Sequence, residues 1–221
     1  MSHYFSQVRL VASPREDKWF RDLARHGESY RDHALIWRLF PGDGIQRDFV
    51  FRRLNDDRTY YVVSARKPSL DSGLFQVRSK PYTPSLAAGS LVRLDLRANP
   101  TISRRLANGR SQRHDVLMDA KRNAVVDQQK QIAQLLDDAG KDWLLKRAEN
   151  WGLLIQPESV LQTGYRQQRL RRKGGSIEFS MLDYQGVAQV AEPELLCQAL
   201  LGGVGHSKGF GCGLLLVRHL G

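Results

Sequence analysis

The chain has 221 residues, 41% of them hydrophobic, enough for one large domain or two small ones around a real core. Lys and Arg number 34 against 23 Asp and Glu, a formal charge of +11 that favours a polyanion as partner, although a merely soluble or ribosome-like basic protein fits the charge equally well. Cys197 and Cys212 are too few and too far apart for a disulfide framework or a Cys-x-x-Cys metal site, which points to core thiols and a cytoplasmic location. With no export signal legible and no run of about eighteen apolar residues, no membrane partner is expected.

Residues 4–12 alternate and are β-rich, which predicts a first strand, followed by a polar stretch over 13–29. From residue 30 to 40 the apolar set Ala34, Leu35, Ile36, Trp37, Leu39 and Phe40 predicts a mostly buried helix, stopped by Pro41-Gly42. Residues 49–54 and 60–65 flank Asn55-Asp56-Asp57 and read as a hairpin. A Pro- and Ser-rich connection covers 80–89, residues 91–96 read as another strand, and a second helix between these strands is legible only as a remnant over 71–76. The turn-prone 108–113 marks a domain boundary. Beyond it, 124–139 reads as a helix closed by Gly140, with further helical turns over 143–148. Residues 153–156 and 160–170 look extended, the basic 171–175 turns the chain, and 176–184 returns it. A helix from Pro193 to residue 201, a glycine-rich loop over 202–213 and a strand over 214–217 complete the chain. Both halves approximate βαββαβ, the ferredoxin-like pattern. The expected organisation is a first domain over 1–106, a linker over 107–115 and a second domain over 116–221.

Three constellations carry chemistry. In the glycine-rich loop Ser207 precedes Lys208 and Gly209 follows it, which excludes a Walker A loop, and the loop follows a helix rather than a strand, which excludes a dinucleotide fingerprint. What remains is a backbone open to close approach, with exposed amides and a cation suited to phosphate, or else a tight helix-to-strand connection without a ligand. The hairpin segment with Arg166, Arg169, Arg171, Arg172 and Lys173 carries five cations in eight residues, which a two-stranded ribbon can present to a nucleic acid; a solvated charge run is the ordinary alternative. Tyr30 and His33 share a helix face, where an imidazole can move a proton near neutral pH with a phenol beside it, although a histidine near a helix start is more often structural. Neither the histidines nor the adjacent acidic pairs Asp56-Asp57 and Asp137-Asp138 have metal-site spacing, so no metal or other cofactor is expected.

Together these pieces resemble the CasE family, the CRISPR repeat-processing endoribonucleases of type I-E systems, along nearly the whole chain. The resemblance rests on the N-terminal strand and on a Tyr-x-x-His followed by an apolar helix ending Trp37-Arg38-Leu39-Phe40-Pro41. It rests further on Arg47-Asp48-Phe49, on Leu94-Asp95-Leu96-Arg97-Ala98-Asn99-Pro100, on the basic hairpin and on the terminal Gly-x-Gly-x-x-Lys-x-x-Gly-x-Gly-Leu. It implies an α+β protein of two tandem ferredoxin-like domains of RAMP type. The implied partners are the CRISPR repeat hairpin of crRNA and the other Cascade subunits, with cleavage at the 3′ base of the stem and retention of the product. Residue by residue, it places His33 at the catalytic histidine and Tyr30 beside it, Arg38 as an assisting cation and Lys173 near the cut. Arg166, Arg169, Arg171 and Arg172 fall on RNA-binding positions, and Gly203, Gly205, Ser207 and Lys208 on a loop that holds the RNA backbone. The mechanism implied is attack by a 2′-hydroxyl on the adjacent phosphorus, without a metal. The rivals are a non-catalytic RNA-binding subunit of the same architecture and a generic basic interaction module.

Overall fold

In the computed structural model the described residues are 2–11, 27–42, 46–69, 73–124, 131–172 and 175–221, with the side chains of Arg171 and Arg172 also outside the description. The first sheet contains β1 (His3–Leu10), β2 (Phe49–Arg53), β3 (Thr59–Ser64) and β4 (Phe75–Tyr82), all antiparallel in the order β2-β3-β1-β4. Helix α1 (Glu28–Trp37) lies on one face, and a core forms where its Leu35 and Ile36 meet Val8, Phe51, Tyr60 and Val62. The β2–β3 turn is fixed by Asp56, whose carboxylate accepts from the amides of Arg58 and Thr59, as the Asn-Asp-Asp sequence leads one to expect.

Strand β4 replaces the connection expected from residue 80 and the helix remnant expected over 71–76: Gln76 is a strand residue, while 71 and 72 lie outside the described residues. The physical reason is its edge position. A strand with one neighbour can keep one face wet, so Lys80 and Pro81 are tolerated where a central strand would reject them.

The second sheet orders as β11-β5-β10-β8, from β5 (Leu91–Ala98), β8 (Leu153–Ile155), β10 (Gly175–Val190) and β11 (Leu215–His219), with β9 (Leu161–Arg172) paired to the far part of β10 as a long ribbon. Helices α2 (Val116–Asn123), α3 (Ile132–Ala148) and α4 (Pro193–Gly202) accompany it, and its core includes Leu94, Leu96, Trp143, Leu144, Tyr184 and Leu196. This corrects the expected division of the chain. Strand β5, assigned to the 1–106 unit, is central to the second sheet, and the expected 107–115 linker falls in a hairpin of β6 (Thr101–Arg105) and β7 (Ser111–Asp115). Alternation buries the face carrying Leu94 and Leu96 but does not say against which sheet, and a polar, turn-prone stretch looks alike in a linker and in a solvated hairpin.

Gly140 does not close a helix either. It lies within α3, buried under Tyr184, whose hydroxyl donates to its carbonyl at 3.1 Å, and a Cβ there would collide with Gln162. The helix expected over 124–139 and the turns expected over 143–148 are therefore one element from residue 132 on, with 125–130 outside the described residues.

The two sheets are joined by an ionic lattice beside an apolar contact. Arg97 of β5 donates both Nε and Nη2 to Asp183 of β10, at 2.8 and 3.0 Å, and its Nη1 reaches the Arg53 carbonyl of β2 at 3.3 Å. Arg52 of β2 pairs with Asp95 and lies 3.7 Å from Asp183. Val50 and Val63 of the first sheet pack with Leu214 of the second unit alongside these charges. With the Arg97 and Asp183 side chains only 9% and 19% exposed, removing the carboxylate strands the covered Arg97 guanidinium and leaves Arg52 with Asp95 alone. Asp183→Ala is expected to lower the unfolding free energy by about 3 kcal/mol in a urea titration; a loss below about 0.5 kcal/mol, the level of an ordinary surface substitution, would contradict the lattice's role.

Candidate active site

Helix α1 has two working faces. Ser29, Asp32, Leu35 and Ile36 are buried, while Tyr30, His33 and Trp37 follow at helical spacing on another stripe. The rotation of the helix is fixed from below: Asp32 accepts from the Tyr60 hydroxyl at 2.8 Å and lies 3.3 Å from Arg53 Nε, while Glu28 in the first turn pairs with Arg53 Nη2 at 2.7 Å. Burial raises the Asp32 carboxyl above its usual range even against Arg53 and the tyrosine hydroxyl, so these contacts are needed to keep a carboxylate there. Their consequence is a set direction for His33.

His33 Nδ1 lies 2.7 Å from the carbonyl oxygen of Gly209. A carbonyl only accepts, so Nδ1 carries the hydrogen, and in the neutral ring Nε2 holds the lone pair. The ring is boxed by Phe210 at 5.3 Å, Trp37 at 5.9 Å and Tyr30 at 6.3 Å between centroids, and Phe210 stacks in turn on Phe179 of β10 at 5.4 Å. Burial pulls the imidazole below its ordinary pKa, the Gly209 carbonyl opposes this, and the nearby Arg47 adds to the lowering.

The glycine-rich loop that supplies Gly209 is held by its own backbone. Val204 N donates to Gly213 O at 2.8 Å, Gly213 N to Arg97 O at 2.7 Å and Phe210 N to Ser207 O at 2.9 Å. Gly203 takes φ +67°, where a Cβ would press on Val50 of β2 and on the Gly213 carbonyl, so the glycine allows the loop to seat against the first sheet. Lys208 Nζ donates to the carbonyls of Gly202 and Gly203 at 2.9 and 2.8 Å, closing the C-terminal end of α4. Ser207, in a left-handed conformation, accepts from Asn99 Nδ2 at 2.7 Å.

Of the residues singled out in the sequence, Tyr30 and His33 are adjacent, Tyr30 being 37% exposed and so open to a ligand. Arg38 is exposed and roughly 140° round the helix from His33. Helical register therefore does not bring it next to the histidine. The cation that does stand there is Arg47, at the approach to β2, to which the sequence pattern assigned no role. No local pattern in the sequence marked it, because its place follows from the tertiary structure; the neighbouring Asp48 is held by Arg66 at 2.6 and 2.9 Å. Lys208 spends two of its three N–H groups inside the loop, which leaves one for a ligand.

On the ribbon, Arg169 pairs with Glu178 at 3.0 Å and Arg166 lies 4.0 Å from Asp183. Arg171 and Arg172 are paired strand positions opposite Ser176 and Gly175, and Lys173 lies outside the described residues. The ribbon leans on α1, where Ser29 Oγ donates to Gln168 Oε1 at 3.3 Å and Leu170 covers Gly27. Gly205, at φ +66°, faces open space. Next to the Phe179–Phe210 stack, a polar groove of about 760 Å³ is lined by Arg113, Arg122, Arg169, Phe179, His206 and Ser207. Among the described residues no three His, Cys, Asp or Glu side chains cluster as a metal site, and no helix is long and apolar enough to cross a membrane.

An imidazole oriented by a carbonyl, between a phenol and a guanidinium and next to an arginine-bearing ribbon, is an arrangement for proton transfer at an anionic polymer. The chain belongs to the CRISPR-associated protein family, whose model matches residues 3–219. Its similarity runs to the CasE type. It is 28% identical to the CRISPR-associated endoribonuclease Cse3 of Thermus thermophilus over 95% of this chain and 98% of that protein. To the CRISPR system Cascade subunit CasE of Escherichia coli it is also 28% identical, over 98% and 100%. Among solved structures, that of CRISPR endoribonuclease Cse3 bound to 19 nt RNA matches with a TM-score of 0.69 at 25% identity, covering 98% of this chain and 99% of that one. Cas6e from Escherichia coli shares the fold, with a TM-score of 0.62 at 23% identity over 98% and 100%.

Because burial and Arg47 both disfavour the imidazolium, the His33 ring is expected to titrate with a midpoint below about 6.5 when followed by NMR of its ring carbons. A midpoint above that value would contradict the geometry.

Proposed function

We propose that this chain is a metal-independent endoribonuclease that binds the CRISPR repeat stem-loop in precursor crRNA, cleaves at the 3′ base of the stem and remains bound to its product as a Cascade subunit. The names of its relatives support the substrate class and the assembly. The observation that carries the chemistry is the His33–Gly209 contact, which leaves Nε2 as the reactive nitrogen on a ring that burial and Arg47 hold neutral.

In this reading His33 is the base. Nε2 takes the proton of the 2′-hydroxyl, a bond forms from O2′ to phosphorus, and the bond from phosphorus to O5′ breaks. One product ends in a 2′,3′-cyclic phosphate, and the departing oxygen becomes a 5′-hydroxyl with a proton from Tyr30 that solvent restores. The exposed ring of Tyr30 beside His33 fits that part. Lys173 neutralises charge building on the phosphoryl oxygens. Arg166, Arg169, Arg171 and Arg172 track the stem, and Gly205, with its open backbone, and the remaining N–H of Lys208 meet the RNA backbone near Gly203 and Ser207. We also read the two sheets as tandem ferredoxin-like units. In each sheet, taking its four main strands in chain order, the fourth lies beside the first and the third separates the first from the second. The free thiols Cys197 and Cys212 accord with a cytoplasmic site of action.

The test is cleavage of labelled repeat hairpin in excess EDTA. The intact protein is expected to give one discrete cut, a substrate with a single 2′-deoxy sugar at the cut to remain whole, and His33→Ala to lose at least about a hundredfold in rate while still binding the hairpin. Binding without cutting would make the chain an RNA-binding subunit only, and a strict need for magnesium would overturn the mechanism. For the ribbon, Arg171→Glu with Arg172→Glu is expected to weaken hairpin binding and to flatten the dependence of log K on log salt by roughly 0.9 for each phosphate no longer neutralised, measured by filter binding across a salt series.

A further inference from the structure

We infer that Arg47 is a catalytic residue of this site, its guanidinium gripping the phosphate under attack while His33 takes the proton. This rests on the endoribonuclease reading above and adds a residue to it. Gly209 marks the spot. A Cβ built on that glycine would lie 3.3 Å from Arg47 Nη1, 3.4 Å from His33 Nδ1 and 3.7 Å from His33 Cε1, so guanidinium and imidazole both border the space above the Gly209 Cα. Cε1 is bonded to Nε2, so the guanidinium and the reactive nitrogen are near enough to meet two neighbouring groups of one substrate.

Charge balance leads independently to the same residue. Arg52 is set against Asp95 and Asp183, Arg53 against Glu28 and Asp32, Arg66 against Asp48, Arg97 against Asp183, and Arg169 against Glu178. Arg47 has no carboxylate partner among the described residues. Its charge bears on His33 and Lys208, both of which it makes harder to protonate. Lys208 is turned to the carbonyls of Gly202 and Gly203. A guanidinium, a lysine and an imidazole thus converge without a counter-anion from the described protein, a focus of positive potential that an incoming phosphate relieves. Arg47 is exposed enough to be reached, yet its head is covered enough for burial to pull the guanidinium below its ordinary range. A partly desolvated, planar, two-pronged donor suits two phosphoryl oxygens, and such donors act most strongly where charge develops in the transition state.

Single-turnover cleavage of the repeat hairpin by the full chain tests this, with Arg47→Ala, Arg47→Gln and Arg47→Lys compared with the unaltered protein and binding followed on the 2′-deoxy hairpin. Arg47→Ala and Arg47→Gln are expected to slow the cut about a hundredfold. Binding of the uncleavable hairpin should fall by less than roughly tenfold, with Arg47→Lys recovering part of the rate. In the neutral variants the rising limb of the pH–rate profile moves to higher pH, because loss of the cation lets the imidazole protonate more readily; a merely structural role would leave that limb in place. Cleavage by both neutral variants within about threefold of the unaltered rate, with an unmoved limb, overturns the role of Arg47 and leaves the endoribonuclease reading intact. Failure of the unaltered protein to cut overturns both. Should the alanine variant unfold on circular dichroism, the glutamine variant, which keeps the aliphatic stem and an amide donor without the charge, decides.

Discussion

Asp183 sits between Arg97 of its own sheet and Arg52 of the other, and the position of every functional group depends on that seat. His33 belongs to the first unit and its orienting carbonyl, on Gly209, to the second, with 176 positions of sequence between them. A hydrogen bond of that kind survives only if the two sheets keep one mutual placement, and an ion lattice fixes an angle as well as a contact. Apolar packing of Val50 and Val63 on Leu214 supplies the attraction, while the charges select among the ways such side chains could pack. The arrangement is costly to break because the partners are covered, which makes the lattice a specifier of geometry more than a source of net stability.

The glycine-rich loop then turns this placement into chemistry. Gly203 lets the chain pass close to Val50 and Gly213 lets it close on Val204, while Lys208 caps α4 from inside. Phe210 and Phe179 brace the ring of His33 from the second unit, and Trp37 from its own helix. Very little of the loop is left to move, so the tautomer of the imidazole is set before any substrate arrives. A backbone carbonyl here fills the orienting role that a carboxylate often has, and it does so without adding a negative charge beside the ring.

Much of this was legible in the sequence, and what was not has physical causes. Strand β1, helix α1 and the β2–β3 hairpin show in alternation, in the Leu35–Ile36 pattern and in Asn55-Asp56-Asp57, because each buries a defined face or needs a particular turn. The Tyr30–His33 pair was visible because helical spacing puts those side chains on one face, and the ribbon because a basic turn separates two extended stretches. Strand β4 was hidden by its wet edge, and the sheet membership of β5 by the fact that alternation reports burial without naming a partner. Gly140 read as a stop because a glycine that admits a neighbouring side chain looks like one that ends a helix. Arg38, the cation named from the resemblance, lies on the same helix as His33, whereas Arg47 is brought near the histidine from the approach to β2 by tertiary structure that no local pattern encodes.

The ribbon of β9 and β10 is rooted in the second sheet, yet midway along its length it rests on the first turn of α1, through Gln168 on Ser29 and Leu170 over Gly27. It therefore bridges the two units like a strut rather than projecting as a free arm. On the proposed reading, a polymer laid along that strut would meet the imidazole at a set remove from the point of grip, so the molecule would act as a gauge, with the place of reaction dictated by length and posture rather than by inspection of the bond itself.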